Sequence, residues 1–304
     1  MTLPNFVTLV EVGPRDGLQN EAILVPTDVK VSLIEQLAEC GLPVIEAGAF
    51  VSPKWVPQMA DTADVFSNLS RKHGVVYSAL TPNLRGLEAA QAAGVEEVAV
   101  FAAASETFSK KNINCTIADS IERFLPVCKA ALSEGIRVRG YVSCVLGCPY
   151  EGEISPTHVR DVTGRLIDAG CYEVSLGDTI GCGTPDKAIK LVETCAELTP
   201  VGNLAAHFHD TYGQALANIY AVLHTGVATL DCSVSGLGGC PYAKGASGNV
   251  ATEDVLYMLN GLGVDTGVNM AGLLEASAFI SDKLGRQPSS KVALALNGPA
   301  DRIN

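Results

Sequence analysis

The 304-residue chain predicts a (β/α)8 TIM barrel followed by extra C-terminal helices. One unit recurs along it: a helix-period segment, a glycine, then a short β-branched run. Eight such runs occur, each separated from the next by a helix-sized stretch. Alternating units of this kind force parallel strands with right-handed crossovers, and eight of them close into a barrel. An open doubly wound sheet is the competing architecture, but no Gly-x-Gly-x-x-Gly opens the first helix.

In chain order, Phe6 to Val12 is the first strand. Thr27 to Cys40 places Leu33 and Leu37 one helical turn apart, stops at Gly41 and leads into Val44-Ile45-Glu46. Val75 to Leu80 is the third strand; Asn83 to Ala93 then stops at Gly94 before Glu97 to Phe101. Thr116 to Glu134 stops at Gly135 before Arg137 to Ser143. Ser155-Pro156 supplies an N-cap and a proline at the first helical position, and Gly170 ends that helix before Tyr172 to Leu176. The apolar run from Val201 to Phe208 contains the seventh strand, Asn203 to Phe208. Gly213 to His224 ends at Thr225-Gly226 and leads into Thr229 to Ser233. Glycine after a last helical turn provides the left-handed residue needed there. Two further helices, Thr252 to Gly261 and Met270 to Leu284, cover the barrel's side or pack against a partner. With no linker or low-complexity segment, residues 1–304 read as one domain, the barrel over about 6–250 and the helices over about 251–285.

Composition narrows the function classes. A formal net charge of −12 argues against nucleic-acid binding, which needs a basic footprint to neutralise phosphates. No stretch approaches the roughly 20 apolar residues needed to span a bilayer. Ten scattered cysteines in a chain with a large core read as reduced thiols. The first strand begins near Phe6, which leaves no room for a leader, so the expected location is the cytoplasm.

In a barrel of this kind, reactive groups gather just past the C-terminal strand ends. Polar residues fall there throughout: Arg15-Asp16, Glu46, Thr81 and Asn83, Ser105-Glu106, Cys144, Asp178-Thr179, His207 and His209. His207 and His209 are two apart on one strand and share a face, as two ligands to a divalent cation would. A His-x-His pair alone is more often ordinary strand decoration; convergence with Asp16 gives it weight. Asp16 and the two imidazoles, with Asn249 as a neutral oxygen, form a mixed set that suits octahedral Mg2+ or Mn2+ better than closed tetrahedral zinc, which stays open. The plain reading of Asp16 is a turn residue in Gly13-Pro-Arg-Asp-Gly17, and that of Arg15 an ion pair with Glu46. The glycine-rich stretch Gly236 to Asn249 predicts a mobile lid with Cys240 as its thiol, a setting for a proton donor or an oxidation target.

Several long segments carry a family resemblance. Val12-Gly-Pro-Arg-Asp-Gly-Leu-Gln-Asn20, Phe50-Val-Ser-Pro-Lys-Trp-Val-Pro-Gln-Met59 and Gly140-Tyr-Val-Ser-Cys-Val-Leu-Gly-Cys-Pro-Tyr150 resemble the 3-hydroxy-3-methylglutaryl-CoA lyase family. So do Ser175-Leu-Gly-Asp-Thr-Ile-Gly181, His209-Asp-Thr-Tyr-Gly-Gln-Ala-Leu-Ala-Asn218 and Gly236 to Asp254. The resemblance implies cleavage of 3-hydroxy-3-methylglutaryl-CoA to acetyl-CoA and acetoacetate with Mg2+ or Mn2+. It places Asp16, His207, His209 and Asn249 at the metal, and Arg15 on the enolate oxygen. It gives Glu46 to the cation or to Arg15, makes Asp16 or a water the base, and assigns Cys240 to protonating the enolate carbon. It also implies an acyl-CoA substrate and a homodimer. Asn20, Lys110 and Lys111 are the residues given to the CoA handle, with Lys54 nearby, because Ala22 stands where the family often has lysine. The small run Ala47-Gly48-Ala49 points to a shifted acyl-group preference. The rivals are a condensing enzyme of the isopropylmalate or homocitrate synthase type, which usually carries a long C-terminal extension, and a non-catalytic acyl-CoA-binding barrel.

Overall fold

Eight parallel strands close on themselves in chain order in the computed structural model, which describes residues 3–239 and 248–296. They are β1 (Thr8–Glu11), β2 (Val44–Ala49), β3 (Val76–Leu80), β4 (Glu97–Ala103), β5 (Arg137–Ser143), β6 (Glu173–Asp178), β7 (Leu204–Phe208) and β8 (Thr229–Cys232). Closure is made by β1 against β8, with Thr8 opposite Thr229 and Glu11 opposite Cys232. Around them run α1 (Thr27–Glu39), α2 (Thr62–Asn68), α3 (Leu84–Ala92), α4 (Glu106–Ile113), α5 (Ile117–Ser133) and α6 (Pro156–Asp168). Next come α7 (Pro185–Cys195), α8 (Ala215–Leu223), α9 (Thr252–Gly261), α10 (Met270–Leu284) and α11 (Lys291–Leu296). None of the described helices is long and apolar enough to cross a membrane.

The apolar faces meet between the strands and the helical ring: Leu33, Ile34 and Leu37 of α1, Leu9 and Ile45 of the sheet, and Leu166 of α6 are fully buried. All eight expected strands form, with shifted ends. β1 is shorter than the apolar run, since Phe6 makes only an isolated bridge to Asp265. β2 continues past Glu46 through Ala47, Gly48 and Ala49, so Glu46 lies inside the barrel rather than at its rim. The register with β3 slips between Glu46 and Gly48, a bulge of the sort that re-aims a neighbouring side chain. Ser155 occupies the N-cap position of α6, but its hydroxyl bonds Thr157 at 2.7 Å instead of a helical N–H.

Candidate active site

A single π-helical turn, Gly13–Gly17, follows β1 and carries Arg15 and Asp16. Three successive N–H groups, of Arg15, Asp16 and Gly17, converge on the Val12 carbonyl at 3.2, 2.7 and 3.2 Å. Glu11 pins the turn: its Oε1 accepts from the N–H of Gly13 (2.8 Å) and of Val234 (2.9 Å), and its Oε2 from the Thr252 hydroxyl (2.7 Å). The loop after β1 is thereby tied to the loop after β8.

Arg15, buried, donates Nε to Glu46 Oε2 at 2.5 Å and Nη1 to Asp16 Oδ1 at 2.6 Å, with its guanidinium 5.6 Å from the Tyr141 ring centre. Burial works against its charge, but Glu46 and Asp16 outweigh that and hold it firmly cationic. Burial likewise pushes the Asp16 carboxyl up, yet Arg15 and the two imidazoles bring it down to about 2. The ion pair anticipated between Arg15 and Glu46 therefore exists at the wall of the cavity that also holds Asp16.

His207, one residue before the end of β7, and His209, just beyond it, place their ring centres 5.4 Å apart. One ligand atom each from Asp16, His207 and His209 lie within 4.8 Å of one another. His207 turns Nε2 toward Asp16 Oδ2 at 4.0 Å and Nδ1 toward Asp231 Oδ2 at 3.2 Å. His209 Nδ1 is buried without a hydrogen-bond partner among the described residues, an orphaned nitrogen of the kind a cation satisfies. Burial first, then the neighbouring His207, lowers the His209 pKa to about 4, so the ring is neutral and its lone pair is free to bind. One carboxylate and two imidazoles, one of them with a buried unpartnered nitrogen, fit a divalent cation. Asn249 stands beside them, its amide donating to Asp16 Oδ2 at 2.9 Å and to the Leu237 carbonyl at 3.3 Å, so here it holds Asp16 in place.

A cavity of about 1250 Å3 opens from this cluster. Asn20 lines it and donates to the Asp16 backbone carbonyl at 3.3 Å. Lys111 lines it too, with Nζ 3.9 Å from the Tyr150 ring centre. Lys110 is not among its lining residues, because adjacent residues of α4 point about 100° apart around the helix. Lys54 is also outside the lining. Ala47, Gly48 and Ala49 do not reach the cavity; a Cβ at Gly48 would come 2.7 Å from Thr62, so the run is small to let α2 pack on β2. Cys240 lies outside the described residues.

Other rim residues act on backbone. Asn83 caps α3 through the Gly86 N–H (2.9 Å), and Ser105 caps α4 through the Phe108 N–H (3.0 Å). Asp178 accepts from the N–H groups of Cys182 (3.2 Å) and Gly183 (2.8 Å). Cys144 takes a left-handed conformation, φ 62°, and donates its N–H to the Thr179 hydroxyl at 2.8 Å. Sequence reasoning missed Arg139, Tyr141 and Asp231 inside the barrel, and Arg85 and Arg123 along the cavity. The available signal was Arg139 and Asp231 in mid-strand, where parallel strands are otherwise apolar.

The HMGL-like family profile matches residues 6–280 of this chain. The chain belongs to the HMGL-like family. Among its HMGL-like relatives, hydroxymethylglutaryl-CoA lyase, mitochondrial, of Bos taurus is 61% identical over 294 residues, 97% of this chain and 90% of the relative. The 3-hydroxy-3-isohexenylglutaryl-CoA/hydroxy-methylglutaryl-CoA lyase of Pseudomonas aeruginosa is 59% identical over 296 residues, 97% and 99% of the two chains. The crystal structure of hydroxymethylglutaryl-CoA lyase from Pseudomonas aeruginosa superposes with a TM-score of 0.96 at 59% identity, covering 98% of this chain and 99% of that one.

Proposed function

We propose that this HMGL-like chain is a divalent-cation-dependent carbon–carbon lyase that cleaves 3-hydroxy-3-methylglutaryl-CoA to acetyl-CoA and acetoacetate. The observation that carries the reading is a buried arginine beside a carboxylate and two imidazoles at one cavity wall, in a chain 61% identical to a lyase so named.

Asp16, His207 and His209 are the residues that would hold Mg2+ or Mn2+, and Asn249 steadies Asp16. A bound cation would supply the charge that acidifies and orients the substrate's tertiary hydroxyl. Breaking the C2–C3 bond sends its electron pair onto the thioester, and Arg15 is the fixed positive group that meets the enolate oxygen. Glu46 sets the direction of Arg15 through the 2.5 Å bond to Nε. Asp16 accepts the hydroxyl proton in this reading, with Arg15 and the two imidazoles holding its carboxyl down at about 2. Cys240 returns a proton to the enolate carbon. Asn20 and Lys111, with Arg85 and Arg123, line the path for the CoA handle.

The cytoplasm and a homodimer complete the proposal. The nine described cysteines are free, consistent with a reducing compartment, and Tyr220, Tyr257 and Leu294 leave apolar surface on the outer helices. The test is acetoacetate formation from 3-hydroxy-3-methylglutaryl-CoA with Mg2+ or Mn2+, with and without chelator, run beside the 3-isohexenyl analogue. Chelator-sensitive acetoacetate is expected; no product with either metal would retire the substrate assignment.

A further inference from the structure

Behind the cavity wall, a charged network runs through the barrel interior. Arg139 of β5 is 2% exposed and uses three nitrogens. Its Nε donates to Glu173 Oε1 at 2.7 Å, and its Nη2 to Asp231 Oδ1 at 2.7 Å. Its Nη1 reaches both Asp231 Oδ2 at 3.2 Å and the Tyr141 hydroxyl at 2.9 Å. Asp231 of β8 accepts as well from the Ser175 hydroxyl at 2.7 Å and faces His207 Nδ1 at 3.2 Å. On the far side, the Tyr141 hydroxyl donates to Glu46 Oε1 at 3.4 Å, and Glu46 holds Arg15. Arg15, Glu46, Tyr141, Arg139, Asp231, His207 and Asp16 thus form a closed circuit around the barrel axis, with its widest gap the 4.0 Å between His207 Nε2 and Asp16 Oδ2.

The circuit has a consequence for His207. A carboxylate gripped by both arms of a guanidinium is ionised and has no proton to give. Across the 3.2 Å contact, Nδ1 of His207 must then be the donor, and a neutral imidazole with its proton on Nδ1 keeps its lone pair on Nε2. We infer that Asp231, anchored by Arg139 and Ser175, is a positioning residue that fixes His207 as its Nδ1–H tautomer and presents a bare Nε2 to a divalent cation beside Asp16. Outer partners of this kind orient a ligating imidazole and raise its basicity. The inference rests on the cation reading of Asp16, His207 and His209, and the experiment separates the two.

Five histidines make the ring nitrogens directly observable. Metal-free, full-length protein labelled with 15N-histidine in alkaline buffer gives two-bond proton–nitrogen spectra, and His207→Gln identifies the His207 pattern by its loss. Wild-type His207 is expected to show the Nδ1–H pattern. In Asp231→Asn the amide oxygen stays with Arg139 and the NH2 turns to His207, so the pattern switches to Nε2–H. Mn2+ titration of the same metal-free proteins should show affinity weakened roughly ten- to hundredfold by Asp231→Asn. Should that variant fail to fold, Ser175→Ala removes one anchoring bond without stranding a charge, and a smaller loss of Nδ1–H population and of Mn2+ affinity is expected. Wild-type His207 in the Nε2–H form overturns the positioning role, as does a folded variant with the wild-type pattern and affinity. A wild-type protein that shows the Nδ1–H pattern but binds no Mn2+ overturns the cation reading instead.

Discussion

Arg15 is held by two carboxylates and an aromatic face, yet it borders the cavity, an arrangement that fixes a positive charge without letting it relax toward solvent. Stabilisation of charge that forms only in the transition state shows in turnover, not in ground-state binding. Arg15→Gln is therefore expected to lower kcat by at least about a hundredfold while Mn2+ affinity, measured on the substrate-free protein, changes little; a mild kcat defect would remove Arg15 from the enolate. Glu11 belongs to a different class of buried acid. Burial lifts its pKa from 4.5 to about 8 despite the donors that surround it, so the folded chain keeps its proton where the unfolded chain has lost it. The sign follows from linkage: the folded state binds more protons between those values, so this group's contribution to stability is complete below 4.5 and is lost as pH rises through about 8. Urea midpoints measured at pH 5, 6.5 and 8 should fall less steeply in Glu11→Gln than in wild type, and parallel curves would show that Glu11 does not titrate in this window.

At the scale of elements, what the sequence makes legible is set by how local the cause is. The strands are readable because β-branched runs follow glycines that end helices and whose left-handed conformation is a local demand; Gly41, at φ 100°, is one of them. A Cβ there would also collide with the Gly267 carbonyl oxygen, where the α1 turn meets the approach to α10. Gly41→Ala should accordingly destabilise by roughly 1–3 kcal/mol, read from urea midpoints, whereas Gly135→Ala, with open space around it, should show only the cost of its φ of 73°. The convergence of Asp16, His207 and His209 was legible for a related reason: barrel topology puts every strand end on one face, whatever the distance along the chain. Less local causes left no trace. α4 is polar along most of its length and α11 is short, so neither announces itself by an apolar stripe. The π turn exists because Val12 and Glu11 gather its N–H groups, and one of Glu11's other partners is Val234, far along the chain. Arg139 and Asp231 are 92 residues apart and meet only because the barrel closes.

Across the whole molecule, a net charge of −12 opposes the approach of a polyanion such as a CoA thioester. Arg85 of α3, Lys111 of α4 and Arg123 of α5 bring three cations to the same cavity from three successive helices, a local positive charge that, in the proposed function, faces the CoA phosphates. These groups sit near solvent, so their attraction is screened by salt and acts on binding rather than on bond cleavage. The double variant Arg85→Ala, Arg123→Ala is expected to raise KM for the CoA thioester about tenfold, equivalent to about 1.4 kcal/mol, with kcat nearly unchanged. Added salt should raise the wild-type KM toward that of the variant. A pantetheine thioester, which has the acyl group but none of the nucleotide phosphates, should be handled alike by both proteins. If the variant loses the pantetheine substrate as severely as the CoA one, the two arginines shape the cavity and do not read the phosphates.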